Sequence, residues 1–248
     1  MSLKFLIIPL FLFHLTCNAG EPVKAILTDI EGTTTSISFV HDVLFPYAKK
    51  HLPEYVLSHQ QDPAVQKVIE ETKEIALSPK SDVKEVIDTL ITWIEQDKKI
   101  TPLKTLQGMM WQDGYEQVAY QAHVYEDVAE SCRKWTEEGL VLYIYSSGSV
   151  LAQKLLFSHT VDGDLTPFFS GYFDTKVGGK RESASYLKIA DEMELAPESI
   201  LFLSDTVQEL DAAREAGMQT LMLVREGTTK PDDCPHESVT SFSEILFQ

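Results

Sequence analysis

Positive charge is what this sequence lacks most: 21 lysines and arginines stand against 38 aspartates and glutamates, for a formal net charge of -17. Extended contact with nucleic acid or an anionic membrane needs a basic surface, so that balance excludes both. An anionic small molecule must then be captured by local positive charge. Cysteine is scarce too. Cys17, Cys132 and Cys234 show no C-x-x-C spacing and no companion histidines, which argues against a structural zinc site and leaves buried or idle thiols. There is no internal repeat and no low-complexity segment. The one long apolar stretch, Phe5 to Leu15, is broken by Pro9 and His14 and is too short to span a bilayer. With Lys4 before it and Cys17-Asn18-Ala19 ahead of Gly20, residues 1–21 read either as a secretory signal peptide or as an extension outside the fold.

What is present suffices for one large domain or two modest ones: 248 residues, 44% of them hydrophobic. Val23 to Leu27 reads as a short buried strand that delivers Asp29 and Glu31 to its carboxyl end, where Gly32 lets the backbone leave and three threonines supply donors. Open parallel sheets keep their active sites at such strand ends. The pair suits phosphoryl transfer through a carboxylate, with Asp29 attacking phosphorus and Glu31 as acid and then base. The plainer reading of Asp29 is a turn or cap residue.

From about Ser38 to Val124 the pattern becomes helical. Asp62-Pro63 and Thr101-Pro102 each look like an N-cap followed by proline at the first helical position. Asp82 and Glu85 have capping-box spacing ahead of an apolar stripe through Val86, Ile87, Leu90 and Ile94. The expectation is a bundle of about four helices inserted after the first strand. Trp93, Met109, Met110 and Trp111 read as bundle core, with pocket lining as the alternative. His41, His51 and His59 read as surface or bundle histidines.

After Asp127 an α/β pattern returns. A helix closing at Gly139 leads to the strand Leu140 to Tyr145, then to Ser146-Ser147-Gly148-Ser149 opening another helix, either a phosphate grip or simple helix capping. A short extended piece spans Phe168 to Asp174, and the loop after it ends at Lys180, either a transition-state cation or a solvated loop lysine. Ile200 to Leu203 delivers Ser204-Asp205, and Gln219 to Val224 follows a helix closing at Gly217. Four parallel strands with interleaved helices is the expected arrangement.

The ordered set of carboxylate pair, hydroxyl-rich turn, lysine and second aspartate resembles the haloacid-dehalogenase-like phosphohydrolases. More narrowly, Asp29-Ile30-Glu31-Gly32-Thr33-Thr34-Thr35, Leu106-Gln107-Gly108, Tyr143-Ile144-Tyr145-Ser146-Ser147-Gly148-Ser149, Phe173-Asp174-Thr175-Lys176 and Phe202-Leu203-Ser204-Asp205 resemble the enolase-phosphatases of methionine salvage, the acireductone synthases. Glu31, where the wider superfamily places aspartate, belongs to that narrower likeness.

The resemblance implies an α/β fold, a Rossmann-like parallel sheet core (22–37 and 127–248) with an inserted helical-bundle cap domain (38–126). It implies Mg²⁺ held by Asp29, the Glu31 main-chain carbonyl and Asp205, phosphate held by Ser146, Ser147 and Lys180, and catalysis by Asp29, Glu31 and Lys180. Glu209 either orients a metal-bound water or is a helix-surface carboxylate. The implied reaction turns 2,3-diketo-5-methylthiopentyl 1-phosphate into the enediol acireductone and phosphate, in a cytoplasmic monomer; the leader keeps export as the alternative. The rival functions are a general Mg-dependent small-molecule phosphatase or phosphomutase, and a non-catalytic phosphate-binding module.

Overall fold

The computed structural model describes residues 21–247; the leader's apolar run and Cys17 lie outside the described residues. Six strands form one parallel sheet in the order β3-β2-β1-β4-β5-β6. These are β1 (Ala25–Thr28), β2 (Val141–Tyr145), β3 (Phe169–Phe173), β4 (Ile200–Ser204), β5 (Gln219–Leu223) and β6 (Ser238–Val239). β1 is central, hydrogen-bonded to β2 on one side and β4 on the other. Every residue of β1 and β4 is buried, as expected of parallel strands covered on both faces. The chain builds β2 and β3 on one side of β1 and then crosses to build β4 to β6 on the other, so a crevice opens at the carboxyl ends of β1, β2 and β4.

The expected count of four strands is corrected to six. The extended piece at 169–173 is a full edge strand paired with β2, and Ser238–Val239 pairs with β5 in the tail. Both edges are short and weakly patterned, and only their pairing partners make them strands.

Helices α6 (Val128–Glu137) and α7 (Val150–Ser158) cover one face, where Ile26, Leu142, Ile144 and Leu201 meet Trp135, Leu156 and Phe157. Helices α8 (Ser183–Glu192) and α9 (Val207–Glu215) cover the other, packing Tyr186, Ile189, Leu210 and Ala213 on Leu27, Tyr145 and Phe202. Gly139 and Gly217, at φ +88° and +94°, end α6 and α9 in the left-handed conformation that glycine adopts without a Cβ clash.

Between β1 and α6 the chain forms one turn, α1 (Ile37–Phe39), a π-helical segment (Val40–Leu44), and α2 (Phe45–Ser58), α3 (Pro63–Ile75), α4 (Val83–Glu95) and α5 (Thr101–Glu116). Helices α2 to α5 share an apolar cluster of their own, including Leu52, Val68, Leu90, Trp93, Leu103 and Leu106. The caps follow local chemistry. Asp62 accepts from Ala64 N, and Asp82 and Glu85 complete a reciprocal capping box. Thr101 departs from its expected place: Ile100 is the N-cap of α5, Thr101 is the first helical residue, and no side chain caps this end.

The two crossings between sheet and bundle are tied together. Tyr125 N donates to Thr34 O (3.0 Å) and Ser36 N to His123 Nδ1 (3.1 Å). Buried Arg225 donates through Nε to Thr33 O (2.9 Å) and through Nη1 to Asp127 Oδ2 (2.7 Å), with its guanidinium over the rings of Tyr125 and Phe242.

Candidate active site

β1 ends at Thr28, and Asp29 N still donates to Leu203 O of β4 (2.9 Å), which anchors the first residue past the strand. The chain then folds into a turn in which Thr33, Thr34 and Thr35 N all donate to Ile30 O. Gly32 has φ +75°, and a Cβ there would stand 2.2 Å from Asp205 Oδ2. The turn therefore lies directly against the carboxylate at the end of β4, and only glycine permits that approach.

Lys180 is the centre of charge. Its Nζ sits 2.6 Å from Asp29 Oδ1 and 2.6 Å from Glu209 Oε2, and all three side chains are largely buried. Burial alone would lower its pKa, but attraction and hydrogen bonds from the two carboxylates outweigh this and raise it, so the ammonium stays charged. The loop is fixed from below: Tyr186 Oη donates to Lys180 O (2.6 Å), Tyr145 Oη to Gly178 O (3.0 Å) and Ser185 Oγ to Gly179 O (2.8 Å). Asp29 Oδ1 also accepts from Ile30 N at 2.7 Å. Its Oδ2 has no hydrogen-bond donor among the described residues.

The carboxylates crowd one another. Burial, then repulsion from Asp29, raises Glu31; the same two causes push Asp205 to about 6 and Glu209 to about 7, with Lys180 opposing all three. Glu209, left between two readings by the sequence, is 9% exposed and hydrogen-bonded by Ser204 Oγ at 3.0 Å. It is no helix-surface carboxylate. The oxygen-only donor set of Asp29, Asp205 and the Glu31 carbonyl, with surplus negative charge, fits a hard divalent cation. Among the described residues no group of three or more His, Cys, Asp or Glu side chains is placed to hold a metal ion, so a cation here would need the Glu31 main-chain carbonyl beside the two aspartates.

A cavity opens from this region into the helical bundle. Glu31 and Ser146 to Ser149 form its polar end, and Leu44, Phe45, Trp93, Leu103 and Trp111 contribute an apolar wall. Asp29, Lys180 and Asp205 lie behind the polar end and do not line it. Ser149 caps α7 by accepting from Ala152 N, while Ser147 lines the cavity and its hydroxyl has no hydrogen-bond partner among the described residues. Asp174 braces the serine turn against the lysine loop: Lys176 N donates to its Oδ1 (2.8 Å) and Val150 N to its Oδ2 (3.4 Å).

The four aromatic and methionine residues of the bundle divide, with Met109 partly buried against the bundle core. Met110 is 1% exposed in the bundle core, whereas Trp93 and Trp111 reach the cavity. Sequence reasoning passed over Lys99, Lys104 and Tyr115, which also line it, and had Gln107 only as part of the Leu106-Gln107-Gly108 motif, with no role assigned. The signal available was a lone glutamine amid Leu103, Leu106 and Met110. The π-helical segment, which supplies Val40 and Leu44 to the wall, had no sequence signal.

A pair of acidic residues, a second aspartate and a buried lysine gathered at the carboxyl edge of a parallel sheet define a class of protein, and the model of haloacid dehalogenase-like hydrolases matches residues 23–217. The chain is 53% identical over 213 residues to enolase-phosphatase E1 of Methylococcus capsulatus, covering 86% of this chain and 94% of that one. It is 52% identical over 226 residues to enolase-phosphatase E1 of Pseudomonas aeruginosa, covering 91% and 99%. The crystal structure of the UTR4 protein of Saccharomyces cerevisiae matches with a TM-score of 0.78 at 32% identity, over 90% of this chain and 100% of that one. The chain belongs to the enolase-phosphatase family of the haloacid dehalogenase-like hydrolases.

Proposed function

We propose that Asp29, Glu31 and Lys180 carry out the enolase-phosphatase reaction of this family, conversion of 2,3-diketo-5-methylthiopentyl 1-phosphate to acireductone and inorganic phosphate. The carrying observation is the placement of Lys180 Nζ 2.6 Å from both Asp29 and Glu209 beside the cavity's polar end. Lys180 holds Asp29 Oδ1, which leaves Oδ2 to attack phosphorus. The bond from phosphorus to the substrate oxygen breaks, and the leaving oxygen takes a proton from Glu31, whose raised pKa favours the protonated form. Glu31 then takes a proton from water, which hydrolyses the aspartyl-phosphate and regenerates Asp29.

Ser146 and Ser147 hold phosphate oxygens, and Lys180 offsets charge on the transferring group. Asp29, the Glu31 main-chain carbonyl and Asp205 would hold Mg²⁺, which supplies charge neutralisation between phosphate and carboxylates when bound. Helices α2 to α5 act as the cap, and their apolar wall of Trp93, Trp111 and Leu103 takes the thioether tail. We place the enzyme in the cytoplasm as a monomer. Among the described residues no helix is long and apolar enough to cross a membrane.

The test is to give purified protein the diketo phosphate with Mg²⁺ and with excess EDTA, following the enediol by absorbance and phosphate by colorimetry. Both products appear with Mg²⁺, and EDTA stops phosphate release. Hydrolysis of sugar phosphates at equal rates with no enediol formed would overturn the reading in favour of a general phosphatase.

A further inference from the structure

One face of α5 turns toward the sheet and carries Lys104, Gln107, Gly108 and Trp111, spaced as one side of a helix. Three of these four have a partner: Lys104 and Gly108 across the gap, Trp111 within the inserted helical segment. Lys104 Nζ reaches Thr175 Oγ1 at 3.4 Å, a Cβ on Gly108 would stand 3.5 Å from Leu151 on α7, and Trp111 Nε1 donates to Leu44 O at 3.0 Å. Gln107 is the exception. It is 5% exposed, it lines the cavity with Glu31 and the serine turn, and its carboxamide has no hydrogen-bond partner among the described residues.

The residues beside it at 103 and 106 are leucines, and the amide is not among the enclosed unpartnered atoms, so its hydrogen-bonding groups are open to a ligand in the cavity. Two other unpartnered polar atoms near the cavity, the Tyr115 hydroxyl and Gln153 Oε1, are wholly enclosed. The Gln107 carboxamide is the one that meets cavity space, at the border between the polar end and the apolar wall. A ligand that suits it has a phosphate at one end, an apolar tail at the other and hydrogen-bond acceptors between.

We propose that Gln107 binds the carbonyl oxygen next to the phosphorylated carbon, its amide N–H donating to that oxygen and holding it as charge develops there. This rests on the enolase-phosphatase reading. In the enolisation a base takes a proton from the phosphorylated carbon, and the C–H electron pair becomes the C=C bond. The carbonyl π pair moves onto oxygen, and that enolate oxygen is then protonated to the enol. A donor placed where the negative charge forms lowers this barrier, because its bond strengthens from ketone to enolate. Lys104, one turn earlier on the same face, adds positive charge to that end of the cavity.

The test uses Gln107→Leu, which removes the donor without adding charge, and Gln107→Glu, which keeps the shape but replaces the donor with an acceptor and adds a negative charge, so that a parallel loss on both substrates is read from the leucine variant. Each is assayed on the diketo phosphate by enediol absorbance and on n-pentyl phosphate, which has no carbonyl, by phosphate release, with folding checked by circular dichroism. Enediol formation falls about 100-fold in kcat, as for loss of one oxyanion donor, with a smaller change in KM. The ratio of diketo phosphate to pentyl phosphate turnover falls with it. Unchanged enediol kcat in Gln107→Glu, or a parallel loss on both substrates in Gln107→Leu, overturns the proposal; should the leucine variant not fold, the isosteric glutamate variant decides. A parent enzyme that forms no enediol refutes the enolase-phosphatase reading itself, whereas a loss confined to the variants concerns Gln107 alone.

Discussion

Lys180→Met strips the ammonium from between two carboxylates while keeping most of the aliphatic stem. Nζ lies 2.6 Å from an oxygen of each, and the lysine and aspartate side chains are both 8% exposed, so little solvent is available to replace the lost cation. Removing one partner of a buried ion pair costs about 3–5 kcal/mol, because the charge left behind stays desolvated. Catalysis loses a second, separate quantity. A charge-stabilising donor at the transferring group contributes about 100- to 1,000-fold in kcat, or about 2.7–4 kcal/mol.

The double variant Lys180→Met/Glu209→Gln separates the two losses, since it removes one stranded carboxylate and leaves Ser204 Oγ a partner on the glutamine. Stability recovers in part; turnover does not. Urea unfolding followed by tryptophan fluorescence reads the first quantity, and phosphate release at saturating substrate reads the second. If the single variant keeps the parent kcat, or if the double variant regains it, Lys180 is a structural counter-ion and the catalytic assignment is wrong.

Three further perturbations probe the same framework. Asp29→Asn keeps an acceptor for Ile30 N and should leave cooperative unfolding intact while abolishing phosphate release; substantial remaining turnover would rule out covalent catalysis by Asp29. Gly32→Ala places a Cβ 2.2 Å from Asp205 Oδ2 at φ +75°, so stability should fall by about 1–2 kcal/mol and activity with it as Asp205 shifts. Parent-like activity there would show that Asp205 has no part in the site. Arg225→Met leaves Asp127, a side chain 14% exposed, with only Ser241 and Phe242 as donors, and should cost about 3 kcal/mol in urea unfolding, the low end for a broken buried pair. A change below about 1 kcal/mol, the worth of an exposed pair, would contradict that account.

The sequence by itself determined the features whose cause is local. The capping box of Asp82 and Glu85, the Asp62 and Ser149 caps and the glycine stops at 139 and 217 are interactions between residues a few positions apart. Short apolar runs marked β1, β2, β4 and β5, and their order put Asp29, the serine turn and Asp205 at strand ends. Tertiary structure alone decided what depends on partners distant in the chain. β3 and β6 become strands only beside β2 and β5. Lys180 and Glu209, ambiguous as a loop lysine and a helix carboxylate, acquire meaning only by meeting each other and Asp29, more than 150 residues away. Gln107 stands in the Leu106-Gln107-Gly108 motif, but only the packing of α5 against α7 shows that it faces a cavity with no partner for its amide among the described residues. Hydrogen bonds within a turn are written in adjacent residues, whereas burial, ion pairing and an unfilled amide come from surfaces the chain assembles only once folded.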